Sequence, residues 1–203
     1  MTTATPLHYP PRPLIIGRGP WAQKIFATLD ALKVAYSISG KITALDCIEH
    51  ARERGNTHVI VATPLSTHFE LCSFAMRKRL PVFCEKPLCS TVAEVEELHA
   101  IHSAPINAPA SRFLVHSVHL FSQKMEEIHA RWGAFPFAAP SAAHAAFGGP
   151  GPVRDDCPAV WDYGWHALSC LAAGGVPMDD EWTRSHDARW FMWSARPGHS
   201  FVA

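Results

Sequence analysis

The chain has 203 residues, 48% hydrophobic and 18% charged, the make-up of a core-forming protein and not of a disordered one. Lys plus Arg and Asp plus Glu both number 18, so the formal net charge is zero with His neutral. That balance leaves no electrostatic footprint for nucleic acid or an anionic membrane.

No apolar run approaches a bilayer span, and the first residues, MTTATPLHYPPRP, lack the basic and apolar parts of a signal peptide. Six Cys show no CxxC pair and no zinc-ligand spacing, so no metal site is expected. Cys72 and Cys84 lie on apolar runs and are expected in the core. Cys84 and Cys89 flank a Glu-Lys-Pro turn, where a redox or nucleophilic role is the alternative. A cytoplasmic location is expected.

Residues 1–11 are Pro-rich and polar and read as a loose arm. Pro13-Leu14-Ile15-Ile16 reads as a buried strand, followed by Gly17-Arg18-Gly19-Pro20-Trp21-Ala22 and a helix with Ala22, Ile25, Phe26, Leu29 and Leu32 on one face. Strand, GxGxxA, helix is the order in which a glycine fingerprint binds a dinucleotide. Gly17 permits the tight turn, Gly19 lets a pyrophosphate approach the backbone, and Ala22 allows close helix–strand packing. Pro20 suits the first helical turn, where a missing N–H costs little.

Val34 to Ile38 reads as the second strand. The Asp or Glu expected about 20 residues past the first glycine, for the ribose 2′-hydroxyl of NAD, is replaced by Ser37-Ile38-Ser39-Gly40-Lys41. Ser39 and Lys41, with Arg18, suit a 2′-phosphate, which favours NADP with NAD still possible. The alternative is that Lys41 is a solvated loop cation. Asp46 to Arg54 reads as a short helix.

Residues 58–98 carry the densest pattern. His58 to Ala62 is a buried-strand run, Thr63-Pro64 a turn, and Phe69 to Met76 a helix-period segment that Pro81 stops. Val82-Phe83-Cys84 leads into Glu85-Lys86-Pro87. A further helix starts at Ser90 or Thr91, with an acidic first turn and a Val95/Leu98 face. Strand–helix–strand–helix predicts a parallel sheet with helices packed on it, and ligands of such sheets sit beyond the carboxyl ends of the strands.

The order V-A-T-P-x-x-x-H, then x-x-E-K-P, then a Glu-rich helix resembles the Gfo/Idh/MocA family of nicotinamide-dependent oxidoreductases, and the likeness extends over roughly residues 12–175. Asp162-Tyr163-Gly164-Trp165-His166 resembles that family's D-x-G-x-H motif. Spacing alone puts Asp162 and His166 one turn apart on a helix running to about Ala173. The family's further acidic residue is replaced by Ser169.

The resemblance implies that Lys86 and His166 are catalytic, with Asp162 orienting the substrate or the histidine. Which of them is the acid stays open. It also implies that Thr63, Pro64, Glu85 and Lys86 line the cofactor site beside Gly17, Arg18, Gly19, Pro20, Trp21, Ala22, Ser39 and Lys41. In that family the bond before Pro87 can be cis. Arg79 stands where the family commonly has Gly, so the helix is expected to end by another route, at Pro81. His116 and His119 are expected in the pocket or at a plain strand end.

Residues 103–111 read as a linker, Phe113 to Val118 as a strand, and Phe121 to Arg131 as a helix broken by Trp132-Gly133. Residues 134–147 read as extended and 148–158 as a Gly/Pro loop. The tail, with Trp182, Trp190, Phe191, Trp193 and Phe201, reads as two strands joined at Arg196-Pro197-Gly198 and fits a core plug, an oligomer interface or a pocket lid.

The expectation is therefore an α/β protein: a Rossmann-like dinucleotide-binding domain over residues 1–118, then a reduced α+β substrate and oligomerisation domain over 119–203, shorter than the family's. The expected activity is hydride transfer to or from a small polar substrate, a sugar, cyclitol or biosynthetic intermediate, by a homodimer or larger homo-oligomer. The alternatives are a non-catalytic nucleotide-sensing or partner-binding protein of the same fold, and a lyase or hydrolase that uses bound cofactor for transient oxidation.

Overall fold

A computed structural model describes residues 10–40, 43–104, 112–133, 143–147, 157, 159–173, 183–187, 190–194 and 199–202. The expectations for Lys41, for the linker after residue 104, for the Gly/Pro loop apart from Cys157 and for the Arg196-Pro197-Gly198 joint lie outside these residues. The chain divides into two units, Met1–His116 and Ser117–Ala203.

In the first unit the apolar runs become strands β1 (Pro13–Ile16), β2 (Ser37–Ser39), β3 (His58–Val61), β4 (Val82–Cys84) and β5 (Phe113–Val115). They form one sheet in the order β2-β1-β3-β4-β5, with every neighbouring pair parallel. The helices are α1 (Pro20–Ala31), α2 (Ala44–Glu49), α3 (His68–Arg77) and α4 (Val92–Ser103).

Alternate strand residues serve opposite faces, as a pleated strand requires. Leu14, Ile16, Val59, Val61, Val82 and Cys84 form one core with Ile48, Leu71, Met76 and Leu98 of α2, α3 and α4. Ile15 and Ile60 form a second core with Ala22 and Phe26 of α1. With both faces covered, strands of this sheet carry unbroken apolar runs. Cys72, Cys84 and Cys89 are buried, the first two as expected. Burial pushes the Cys84 thiol well up and that of Cys89 up to about 12, so neither is a nucleophile near neutral pH.

Several boundaries differ from expectation for local reasons. The second strand begins at Ser37 and not Val34 because residues 33–34 close α1. Lys33 turns left-handed (φ 55°), its N–H donates to the Asp30 carbonyl at 3.0 Å, and the Val34 N–H donates to Leu29 at 2.9 Å. Leu32 caps that end and is exposed.

The same device ends α3. Arg79 is left-handed (φ 56°) and donates to Met76 at 2.8 Å, while Leu80 donates to Ala75 at 3.0 Å. The helix is therefore closed before Pro81, by Arg79 taking the backbone conformation that glycine takes most easily. In α4, Thr91 is the N-cap and Glu94 completes a capping box. Its buried face is Leu98 and Ile101, not Val95, which is exposed.

The second unit holds α5 (Gln123–Gly133), which continues through Trp132-Gly133, α6 (Ala159–Asp162) and α7 (Gly164–Ala173). Its four-stranded sheet runs β6-β9-β8-β7, from β6 (Ala143–Ala146), β7 (Thr183–Asp187), β8 (Trp190–Ser194) and β9 (His199–Val202). β6 lies parallel to β9, and the other pairs are antiparallel. The tail thus gives three strands where two were expected. The expected strand through Val118 stops at Val115, and Val118–Phe121 forms a 3-10 turn.

Candidate functional site

In the first unit the loops named by the motifs all leave the carboxyl ends of the strands. Gly17 follows β1, Ser39 closes β2, Thr63 and Pro64 follow β3, Glu85-Lys86-Pro87 follows β4, and His116 follows β5. The strand order reverses between β1 and β3, the switch point where ligands of open α/β sheets sit.

Gly17 lies at that point with φ 128°. A Cβ there would fall 2.2 Å from the Ala62 carbonyl oxygen and 2.7 Å from its carbon. Glycine is thus required by the end of β3 as well as by the turn. Gly19 differs: a Cβ would meet nothing within 4 Å.

Gly19 is the N-cap of α1, Pro20 occupies the first turn, no side chain caps this helix end, and the first turn holds no acid. By contrast, Thr91 and Glu94 close the N-terminus of α4. An open helix N-terminus points backbone N–H groups and positive dipole outward, which suits phosphate oxygens. Ala22 is fully buried, as close packing on β1 requires.

Two arrangements here were not read from the sequence. The first is built on Glu85, whose buried carboxylate accepts a hydrogen bond from the Trp21 indole N–H and lies 2.8 Å from His116 Nδ1. A carboxylate oxygen only accepts, so Nδ1 carries the hydrogen in that contact. The His116 ring also packs on Trp21 and Phe83, with centroids 6.0 and 5.0 Å away. One carboxylate therefore ties the first turn of α1 to the ends of β4 and β5.

The second is His68, which is almost fully buried. Its Nδ1 lies 2.9 Å from the Pro87 carbonyl and its Nε2 2.9 Å from that of Thr63. It brackets the loop after β3 to the turn after β4, where the Lys86-Pro87 bond is cis.

Ser39 stands apart from its expected role. It is buried, and its hydroxyl donates to the Gly40 carbonyl and contacts Thr43 Oγ1 at 3.0 and 2.9 Å, so it faces inward. The Arg18 Nε lies 3.9 Å from where a Gly40 Cβ would sit, against the end of β2.

In the second unit Asp162 ends α6 and His166 lies in α7, beyond a turn at Tyr163 whose carbonyl accepts the N–H groups of His166 and Ala167. They do not share one continuous helix, which corrects the spacing argument. The break falls at Tyr163, between the end of α6 and the start of α7. The His166 ring is buried and meets His119 edge-on, with centroids 4.5 Å apart, and Phe147 packs on both. Trp165 Nε1 donates to Ser117 Oγ at 2.8 Å. His119 thereby joins the candidate site residues of this unit.

Residues 30–104 match the model of an oxidoreductase family with an NAD-binding Rossmann fold, Gfo/Idh/MocA. Over 53 residues, 26% of this chain, the sequence is 43% identical to Uncharacterized oxidoreductase YfiI of Bacillus subtilis (strain 168), and that stretch is 14% of the relative's length. The fold resembles an NAD binding oxidoreductase from Klebsiella pneumoniae (TM-score 0.73, 14% identity, 96% of this chain and 66% of that one). It also resembles myo-inositol dehydrogenase from Lactobacillus casei, solved with NAD(H) and myo-inositol (TM-score 0.68, 12% identity, 95% of this chain and 66% of that one). At such identities the likeness establishes the Rossmann-like fold expected of the chain.

Proposed function

We propose that the protein is an NAD(P)-dependent oxidoreductase that moves a hydride between nicotinamide and a carbonyl, imine or hydroxyl carbon of a small polar substrate. The observation that carries this reading is the N-terminus of α1 behind Gly19, with no side-chain cap and no acid among its own first-turn residues, placed at the sheet's switch point. The match of residues 30–104 to the model of that oxidoreductase family supports it. The myo-inositol bound by a protein of similar fold supports a polyol or sugar as the substrate class.

When bound, the nicotinamide supplies or takes the hydride. The backbone N–H groups of the α1 first turn would hold the pyrophosphate, and Gly19 would leave room for it. Thr63 and Pro64 would border the nicotinamide end of the bound cofactor. Lys86 stabilises negative charge growing on the substrate heteroatom, and His166 gives or takes its proton, with Asp162 orienting the substrate or His166. Arg18 beside Gly40, and the lack of a carboxylate at residues 37–41, support NADP over NAD. Ser39 takes no part, because its hydroxyl is engaged within the loop. On this reading the enzyme works in the cytoplasm as a homodimer or larger homo-oligomer, which sedimentation measures directly.

The test is a titration with NADPH and with NADH, following nicotinamide fluorescence, and then turnover of polyols and sugars by the wild type and Lys86→Ala. Saturable binding, with turnover reduced by about 10²- to 10⁴-fold in the variant while cofactor affinity changes little, is expected. Binding of neither nucleotide would overturn the reading.

A further inference from the structure

At the opposite edge of the same sheet, where the chain enters the strands, lies a cavity of about 930 Å³ lined by residues 10–12, 33–35, 52 and 55–57. It lies before β1 and β3 and just past the end of α1, away from every loop assigned above. We propose that it binds a small organic phosphate.

Among the described residues the lining holds three cations, Arg12, Lys33 and Arg52, and no carboxylate. In this unit Arg54 pairs with Asp46, Arg77 with Glu97 and Lys78 with Glu49, whereas Arg18, Lys24, Arg79 and Arg112, spread over other parts of the surface, form no ion pair among the described residues. Arg12, Lys33 and Arg52 form no ion pair among the described residues. The acids adjacent in the chain are engaged otherwise, Asp30 by the Tyr36 hydroxyl at 3.0 Å and Glu53 by His50 Nδ1 at 2.9 Å. Residues 1–9, which precede the lining in sequence, contain no acid.

In a chain of zero formal net charge this is a local excess of three positive charges around one concavity. Guanidinium groups are suited to the paired oxygens of a phosphate, and Lys33 adds a compact charge. The arginines are partly ordered: the Arg12 backbone N–H donates to Thr57 Oγ1 at 3.0 Å, and Arg52 Nη2 donates to the Arg79 carbonyl at 2.5 Å. The rest of the lining sets the apolar Pro10, Pro11, Val34 and Ala35 beside Gly55, Asn56 and Thr57. The volume, within the usual range of roughly 300–1,000 Å³ for small-molecule sites, exceeds what a bare phosphate fills. Cationic groups beside an apolar wall fit a phosphate joined to a carbon skeleton.

Lys33 gives a test that spares the fold. Because it is left-handed (φ 55°) at the end of α1, Lys33→Gly removes the charge and at the same time suits the backbone. Inorganic pyrophosphate is titrated calorimetrically into the full chain, with NADPH kept in excess so that the helix N-terminus of α1 does not compete. The same titration is run on Lys33→Gly, Arg12→Ala and, as control, Arg77→Ala, an exposed cation outside both sites. Saturable binding, weakened about tenfold by Lys33→Gly or Arg12→Ala and unchanged by Arg77→Ala, is expected. No saturable binding, or binding that Lys33→Gly and Arg12→Ala both leave unchanged, would overturn the proposal. Failure to bind NADPH would sink the dinucleotide reading and leave this one to stand on the Lys33 and Arg12 results.

Discussion

The two glycines of the first loop should fail in opposite ways. In Gly17→Ala the methyl would lie 2.2 Å from the Ala62 oxygen, roughly 1 Å inside ordinary contact. The obstacle is backbone, and Ala62 is itself fixed by its N–H bond to Ile16 at 2.8 Å. Alanine at φ 128° adds about 1–2 kcal/mol of conformational strain, and forced overpacking about 1–3 kcal/mol. The sum, about 2–5 kcal/mol, is a large part of the 5–15 kcal/mol that holds a typical domain folded. Gly19→Ala meets nothing and has ordinary dihedrals (φ −68°, ψ 177°), so its cost should stay within about 1 kcal/mol. Its methyl would stand where the cofactor phosphates approach, so affinity should drop about tenfold or more. Urea denaturation followed by circular dichroism measures the first effect, and nicotinamide fluorescence the second. A Gly17→Ala protein as stable as wild type would refute the packing argument. Undiminished nucleotide binding by Gly19→Ala would refute the assignment of the loop.

Three further outcomes are expected. Arg79→Gly should stabilise the fold by about 0.5–1 kcal/mol, seen as a higher urea midpoint, because the carbonyl that Arg52 uses is kept while the left-handed strain is relieved. His68→Ala removes a buried ring that contacts two carbonyls and should cost about 2–4 kcal/mol; a change below about 1 kcal/mol would mean the bracket is idle. Burial holds His58 below its ordinary range, so folding disfavours its charged form. Its contribution is present above the unfolded value of about 6.5 and is lost as pH falls below it. Thermal stability should drop from pH 7 to pH 5, and by less in His58→Gln.

What the sequence disclosed and what it hid divide along physical lines. β1, β3 and β4 were legible because a strand covered on both faces must be apolar, and Pro13–Ile16, residues 59–61 and Val82–Cys84 are. Thr91 and Glu94 carried their own local signal. Val34 misled because its apolar side chain suits a strand while its N–H closes a helix. Lys33 and Arg79 hide a glycine-like conformation that propensity assigns to neither. Asp162 and His166 fit helical spacing, yet a turn at Tyr163 divides them. The Glu85 contacts span 64 and 31 positions, and no local pattern encodes a partnership at that range.

That shared carboxylate has an evolutionary consequence. Positions 21 and 116 do not answer to separate neighbours; both are read by the single side chain at 85. A substitution that strips the donor from Trp21 changes the environment that selects His116, and the reverse holds as well. Among related sequences the two positions should drift as a pair, and a glutamate kept at 85 should be accompanied by a donor on at least one side.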